Sequence, residues 1–266
     1  MRRIWILALI LFSLPVFADD SPWEKAFSLQ QAGKYEEAAS LWLLTLSGNQ
    51  PAGDETPAKS SAHWNLGLCC VHLQLPECVS YHWLQSIKQS TSLSHIARVT
   101  QGLSKFQNSL GLPVSATTSP TFLVAANVGA GHSFIALILA GWLCFAGLIG
   151  LGRARNVPRF VWFATATVAL AWGGFAHFSQ QQLGHFVSLG NDGKDVPIYS
   201  TDKQESPLAS LPAGTVAYIE NLNEVGSSSR LQVSSPVPGW ISAGDVSRPI
   251  SEMKGFLRGA KHSAAR

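Results

Sequence analysis

A long central stretch almost without charge is the feature of this sequence that most restricts its fold. The 86 residues between Lys105 and Asp192 contain three charged side chains, Arg153, Arg155 and Arg159. In the whole chain of 266 residues, 13% of the residues are charged, compared with roughly 25% in an average soluble protein. This pattern argues against a disordered chain and against a simple water-soluble enzyme. It predicts that the middle of the chain lies in lipid.

Two parts of this stretch have the length of a membrane crossing. Residues 133–152 and residues 160–178 carry no Asp, Glu, Lys or Arg, and one bilayer crossing takes about 20 apolar residues. Residues 153–159 between them contain three arginines and no acid, and short positive loops stay in the cytoplasm. The sequence therefore predicts a two-helix transmembrane hairpin in the inner (cytoplasmic) membrane, with both terminal domains in the periplasm. The residues expected to determine this topology are Arg153, Arg155 and Arg159.

Small residues recur every four positions in both predicted crossings. Such stripes let two helices approach closely in lipid. We expect the stripes to face each other within the hairpin, although they could instead receive a helix of another protein. The helix-packing residues are Ala136, Ala140 and Cys144 in the first crossing and Thr165, Ala169 and Gly173 in the second.

Residues 1–18 have the features of a secretory signal peptide. Arg2 and Arg3 precede a short apolar run that ends at Ala18. The alternative is an uncleaved anchor. A signal peptide places the following residues outside the cytoplasm, in agreement with the predicted topology.

Residues 22–110 contain an internal repeat with an offset of 41 residues. This offset superposes Trp23 on Trp64 and Trp42 on Trp83, and we expect these tryptophans to lie in the core. The pattern resembles the tetratricopeptide repeat, whose unit has about 34 residues, and the resemblance implies a groove for peptides or protein partners. A plain helical bundle is the alternative, and both readings predict five helices.

A linker and a β-rich module flank the predicted crossings. Residues 111–131 begin as a Ser/Thr/Pro-rich linker and end in an apolar part that we interpret as interfacial. Residues 183–250 contain five short β-like runs, which suits a small barrel, and residues 251–266 form a basic tail that we expect to be flexible. The β-like runs are 185–189, 196–200, 215–220, 230–234 and 239–242.

The β-rich module resembles bacterial SH3-like domains. The resemblance is carried by residues 207–216, by the sequence Pro238-Gly-Trp-Ile241 and by Asp245-Val246 after it. It implies a ligand surface, for which Tyr199, Tyr218 and Trp240 are the candidates. A core or rim position for these aromatic residues is the alternative.

Residues that would indicate catalysis or metal binding do not form a pattern. The four cysteines stand at positions 69, 70, 78 and 144, and the eight histidines are scattered without the spacing of metal ligands. Cys70 and Cys78 could form a disulfide at a hairpin turn, or both could be small buried apolar groups. Nucleotide-binding and hydrolase motifs are missing from the sequence, and the only basic cluster is the tail. We expect no catalytic residue, no metal, no cofactor and no nucleic-acid partner.

The order of these segments resembles the BatE proteins of the Bat aerotolerance operons. The expected fold class is a multidomain membrane protein, with an α-helical tetratricopeptide-like repeat domain, a transmembrane hairpin and a small all-β SH3-like barrel. The resemblance implies a non-catalytic scaffold in aerotolerance or envelope maintenance, working with Bat proteins that bear von Willebrand factor A domains and with a MoxR-type ATPase. The alternative is a cell-wall sensor whose SH3-like domain binds peptidoglycan. A chaperone that uses the repeat groove is a third reading.

Overall fold

The computed structural model describes residues 21–47, 59–129, 141–142, 159–190, 193–203, 206–220 and 230–246. The predicted signal peptide, most of the first predicted crossing, most of the arginine-rich loop and the basic tail lie outside these residues. The helices of the described part are α1 (Pro22–Gln31), α2 (Tyr35–Leu46), α3 (Lys59–His72), α4 (Pro76–Gln89), α5 (Leu93–Ser109), α6 (Pro120–Gly129) and α7 (Arg159–Gly184).

The first five helices stack as consecutive antiparallel neighbours. Each packs on the next along the chain, and the predicted number of helices between residues 22 and 110 is found. Ser21 precedes helix α1, and its backbone N–H donates to the Glu24 carboxylate at 3.0 Å. This reciprocal cap satisfies two backbone N–H groups at the start of the helix. These helices form two hairpins, α1–α2 and α3–α4, followed by α5.

The predicted core position of the tryptophans is confirmed. Trp42 and Trp83 are buried, and Trp23 and Trp64 are partly buried against the same core. Trp64 stacks on Trp83 with 4.9 Å between ring centroids. Gly67 lies under the Trp83 ring so closely that an added Cβ would overlap it, and glycine therefore lets the Trp83 ring pack directly on the α3 backbone.

Cys70 and Cys78 form a disulfide that joins α3 to α4. Their Cα atoms are 5.8 Å apart, and both residues are buried. Of the two readings open from the sequence, the structure selects the disulfide. Cys69 beside it is a free, buried thiol, and burial raises its pKa to about 12.

Helix α7 contains the second predicted crossing and corrects the membrane prediction. In the described part of the chain, no helix has the length and apolar character that crossing a membrane demands. The run that reads as apolar is interrupted by Thr165, Thr167 and His177 and is followed by three glutamines. The predicted crossing at residues 160–178 and the multi-pass inner-membrane location are therefore wrong.

Helices α6 and α7 pack on each other. The residues of α6 that we interpreted as interfacial include Phe122, Ala125 and Ala126, which are buried in the main core. On α7 the buried side is lined by small residues and one leucine. These residues are Ala166, Gly173, Ala176, Ser179 and Leu183.

The strands form two antiparallel sheets. They are β1 (Phe186–Ser188), β2 (Val196–Ile198), β3 (Ala209–Leu211), β4 (Val216–Ile219), β5 (Arg230–Ser235) and β6 (Gly239–Ser242). One sheet has the order β1-β4-β5-β6, and the other pairs β2 with β3. The five predicted β-like runs are strands, and β3 is an additional one.

The expected closed SH3-like barrel is not formed by the described strands. One isolated bridge, between Tyr199 and Trp240, pairs the two sheets, and a second bridge joins Leu189, after β1, to Val246, after β6, at the two ends of the four-stranded sheet. A barrel needs continuous ladders around its circumference, whereas single bridges stand at these places.

The helices and the sheets share one core, which also corrects the expected fold class of separate modules. Leu183, Phe186 and Val216 belong to the cluster formed mainly by helical residues, and a second, smaller cluster lies between the strands. At the junction, Ser80 Oγ donates to the Gly214 carbonyl at 2.5 Å, and Lys88 Nζ donates to the Phe186 carbonyl at 2.8 Å. The described chain is thus a mixed α and β body in which α4 carries β1.

Candidate binding surface on the sheets

Two faces with different chemistry result from the alternation of side chains in β2, β5 and β6. Successive residues of a strand point to opposite faces. One face is buried in the smaller core and contains Ile198, Leu231 and Ile241. The opposite face, which we call the outer face, is half-buried. It consists of Pro197, Tyr199, Arg230, Gln232, Trp240 and Ser242.

Tyr199 and Trp240 form the centre of the outer face. The backbone N–H of each donates to the carbonyl of the other, both at 2.8 Å. Directly opposed residues of an antiparallel pair place their side chains on the same face, so both aromatic side chains belong to the outer face. Trp240 is also the cross-strand partner of Gln232.

Gly239 makes this close pairing possible. An added Cβ at this position would lie 2.9 Å from the Tyr199 carbonyl oxygen and would overlap the Ile198 side chain. Real Cβ atoms do not come this close to backbone oxygen, so β2 could not approach β6 with any other residue here.

Arg230 covers the tyrosine of the pair. Its guanidinium carbon lies 4.1 Å from the centroid of the Tyr199 ring, and Nη1 donates to the Thr201 carbonyl at 3.2 Å. A cation over an aromatic face contributes about 0.5–1 kcal/mol at exposed sites. The contact fixes the guanidinium at the edge of the aromatic pair.

Tyr218 does not join the other two predicted ligand residues. It lies on β4, packs on His185 and Phe186, and donates its hydroxyl to Gln182 Oε1 at 2.5 Å. Burial, with a smaller effect from Glu220, raises the pKa of Tyr218. The structure therefore brings Tyr199 and Trp240 together and uses Tyr218 to attach α7 to the sheet.

The other predicted site residues are only partly described. Arg153, Arg155, Ala136, Ala140 and Cys144 lie outside the described residues, so their predicted roles in topology and packing are untested. The remaining members of the two sets lie on α7. Arg159 begins the helix, Thr165 lies within it, Ala169 is half-buried and Gly173 is buried.

A buried polar cluster between α3 and α4 was not anticipated from the sequence. His63 Nδ1 and His82 Nδ1 are 2.9 Å apart, and both side chains are buried. The repeat itself contains the signal for it, because the offset of 41 residues places His82 where the first hairpin has Leu41. Among the described residues, no group of three or more His, Cys, Asp or Glu side chains is arranged to hold a metal ion.

No protein-family model, curated protein or solved structure matches this chain. The strongest candidate site is the outer face, because it combines two aromatic side chains on opposed strand positions, a guanidinium held over one of them and partial exposure.

Proposed function

We propose that this protein is a non-catalytic binding protein that recognises an extended, proline-rich segment of a partner protein on its outer face. The Tyr199–Trp240 pair, with Arg230 held over Tyr199, is the observation that carries the proposal. Aromatic residues of this kind supply a large contact area for little loss of side-chain freedom.

The shape of the outer face favours an extended ligand. Strands present their side chains in rows, and proline-rich segments that are already extended bind to surfaces lined by aromatic rings. Gln232 lies opposite Trp240 on this face and carries a side-chain amide. We therefore expect a ligand with a polar residue next to its prolines.

The shared core supports a scaffold role for the whole body. Contacts between α4 and the sheet hold the outer face in a fixed relation to the helical hairpins, so a partner bound on one would be presented in a defined orientation to a partner bound on the other. The resemblance to the BatE proteins suggests a protein with a von Willebrand factor A domain, or its MoxR-type ATPase, as the partner.

A binding experiment with three probes tests the proposal. The probes are a labelled proline-rich peptide containing one glutamate, a glycine–serine peptide of the same charge, and purified peptidoglycan sacculi. We expect the proline-rich peptide to bind best, and Trp240→Ala to weaken its binding at least about tenfold, as for a central aromatic contact. Leu208→Ala is the matched control, because Leu208 is an exposed apolar residue outside the outer face, and it should leave binding unchanged.

The other outcomes contradict the proposal in different ways. Binding to sacculi alone, lost in Trp240→Ala, would identify the protein as a cell-wall sensor. Binding that is equal for the two peptides would show that charge and not the aromatic pair selects the ligand. Absence of binding to all three probes would remove the outer face as the binding site.

A further inference from the structure

The second helical hairpin contains a row of buried polar contacts that the first hairpin lacks. We call it the polar seam, and it consists of Ser60 and His63 on α3 and His82, Ser86 and Gln89 on α4. The offset of 41 residues places Pro22 and Leu41 at the positions of His63 and His82. The seam is therefore a property of this one hairpin and not of the repeat.

Each contact of the seam joins the two helices directly or through a neighbour. His63 Nδ1 lies 2.9 Å from His82 Nδ1, and Gln89 Nε2 donates to His63 Nε2 at 3.3 Å. Ser86 Oγ donates to the Ser60 carbonyl at 2.7 Å and accepts from Nε2 of His95 on α5 at 2.8 Å.

These contacts determine where the protons lie. Because His63 Nε2 accepts from Gln89, neutral His63 carries its proton on Nδ1 and donates it to His82 Nδ1. His82 then carries its own proton on Nε2, which has no partner although the residue is fully buried. Only one proton fits between two nitrogens 2.9 Å apart, so both rings cannot be doubly protonated while they stay in contact.

The charged and titratable groups around the pair offer no compensating negative charge. The positive charge of Lys59 on α3 adds to the effect of burial in lowering the pKa of His63. The Tyr81 ring on α4 meets the His82 ring edge-on. On α5, His95 contacts Ser86, and Arg98 lies near His95. In the described structure no carboxylate forms a hydrogen bond with either ring of the pair.

The remaining groups on neighbouring elements face elsewhere. On the α2 side, Tyr35 stacks on His72 near the hairpin turn. Lys88 donates to carbonyls at the start of β1, and His185 contacts Tyr218 and the Ile219 carbonyl. A proton added to the pair therefore brings an uncompensated charge into the core.

We propose that the His63–His82 pair is an acid-sensitive latch, which holds the open ends of α3 and α4 together while both rings are neutral and releases them when both take a proton. The Cys70–Cys78 disulfide holds the other end of the hairpin closed. Release is therefore a local opening about the disulfide, at the end where Ser60 and Ser86 meet.

The direction of the pH dependence follows from burial. Burial, with a smaller effect of Lys59, lowers the pKa of His63 from 6.5 to about 4, and burial, with a smaller effect of His63, lowers the pKa of His82 well below 6.5. The open state thus binds more protons than the closed state. The latch is fully effective above pH 6.5 and weakens as the pH falls towards the folded pKa of His63.

Opening would reach the sheet through α4. Lys88 stands beside Gln89 at the moving end of the helix, and its ammonium group holds the Phe186 carbonyl. We expect acid to loosen this contact before it loosens the hydrogen bond from Ser80 to Gly214, because Ser80 lies nearer the disulfide along α4.

Hydrogen exchange of the full chain between about pH 7 and about pH 5 tests the latch. Each ring stays neutral in the closed hairpin and can take a proton in the open one. Below the ordinary pKa of the ring, each such ring raises the equilibrium constant for opening about tenfold for every unit by which the pH falls. After correction for the intrinsic exchange rate, amides of residues 59–66 and 82–89 should therefore gain up to about a hundredfold in exchange per pH unit. Amides of β4, β5 and β6 should change little.

Two variants at the exposed Gln89 separate the latch from general acid sensitivity. In Gln89→Glu the carboxylate accepts a hydrogen bond from the Nε2–H group of His63 and favours the charged form of that ring, so the pH dependence should fall to about tenfold per unit. Gln89→Met removes the same amide without adding charge, and its pH dependence should match the parent. Three results would each overturn the latch. The first is exchange in the parent that rises no more than about tenfold per pH unit. The second is an equal pH dependence in Gln89→Glu and Gln89→Met, and the third is an equal loss of protection in the strands.

Discussion

Gly33 and Gln74 occupy the same position in the turns of the two helical hairpins, 41 residues apart, and both have a positive φ, 76° and 57°. The backbone N–H after each donates back to the preceding helix, from Lys34 to Leu29 and from Leu75 to Cys70. The turn is therefore repeated along with the core residues, although the second copy has no glycine. The contacts on either side hold Gln74 in a conformation that costs an L-residue roughly 1–2 kcal/mol.

Replacing Gln74 by glycine should stabilise the protein. We expect Gln74→Gly to raise the free energy of unfolding by about 1 kcal/mol, because glycine adopts positive φ without a Cβ clash and part of the gain is offset by its greater freedom when unfolded. Urea denaturation with the disulfide intact measures the change. Gln74→Ala keeps a Cβ and should give no such gain; an equal gain would show that the side chain and not the backbone limits stability.

Gly214 should be intolerant of substitution because it touches α4. Its φ is 86°, and an added Cβ would lie 2.7 Å from the Pro76 carbonyl carbon. Gly214→Ala should therefore lower the free energy of unfolding by about 3 kcal/mol, from overpacking and from the strained backbone together. Gly193→Ala is the control, since its φ is 70° with open space around it, and it should cost only about 1 kcal/mol. Equal losses in the two variants would show that the helix and sheet are not in tight contact.

Gly239 should control the geometry of the outer face. In Gly239→Ala the new methyl group pushes β2 away from β6 and separates Tyr199 from Trp240. We expect binding of the proline-rich peptide to fall at least about tenfold. Gly244→Ala, whose added methyl would meet only Ser242 Oγ at 3.5 Å, should bind as the parent does. Unchanged binding in Gly239→Ala would mean that the pair need not be intact to form the site.

Lys88 should make stability rise at alkaline pH. Burial lowers the pKa of Lys88 from 10.5 to about 8, so between these values the unfolded chain binds more protons than the folded one. The free energy of unfolding then increases with pH in this window, with a slope of at most about 1.4 kcal/mol per pH unit from this one group. Chemical denaturation of the parent and of Lys88→Met at about pH 8 and about pH 10 isolates its contribution. An identical pH dependence in both proteins would contradict the lowered pKa.

Local patterns in the sequence predict much of the helical part. The repeat, the number of helices and the core tryptophans follow from spacing, because a helix buries residues at regular intervals whatever it packs against. The five β-like runs also appear as strands, while β3 (Ala209–Leu211) is so short that its pairing with β2 and not its composition makes it a strand.

What covers an apolar face cannot be read from its periodicity. Residues 160–178 have few polar groups, and this pattern is the same whether lipid or protein surrounds the helix. In the structure the small residues of α7, Gly173 and Ala176 among them, are buried within the protein. Helix α7 packs on α6, for which the sequence predicts an interfacial position.

The sequence predicts only some features of the candidate surface. Tyr199 and Trp240 lie opposite each other across β2 and β6, but Tyr218 is equally aromatic and equally placed in a strand. Only the register of β4 against β1, which pairs Tyr218 with Phe186, sends it towards α7. The histidine pair shows the same limit, because 19 positions separate His63 from His82 and only the α3–α4 packing brings their rings together.

The sequence by itself determined the local elements of this protein, since helix and strand periodicity, the 41-residue repeat and the cysteine spacing at the turn are all short-range properties. The tertiary structure alone decided that α4 carries the sheet, that two histidines come into contact and that one side of α7 packs against protein. The reason is physical: burial depends on which surfaces meet, and that choice is made by the free energy of the whole packed chain.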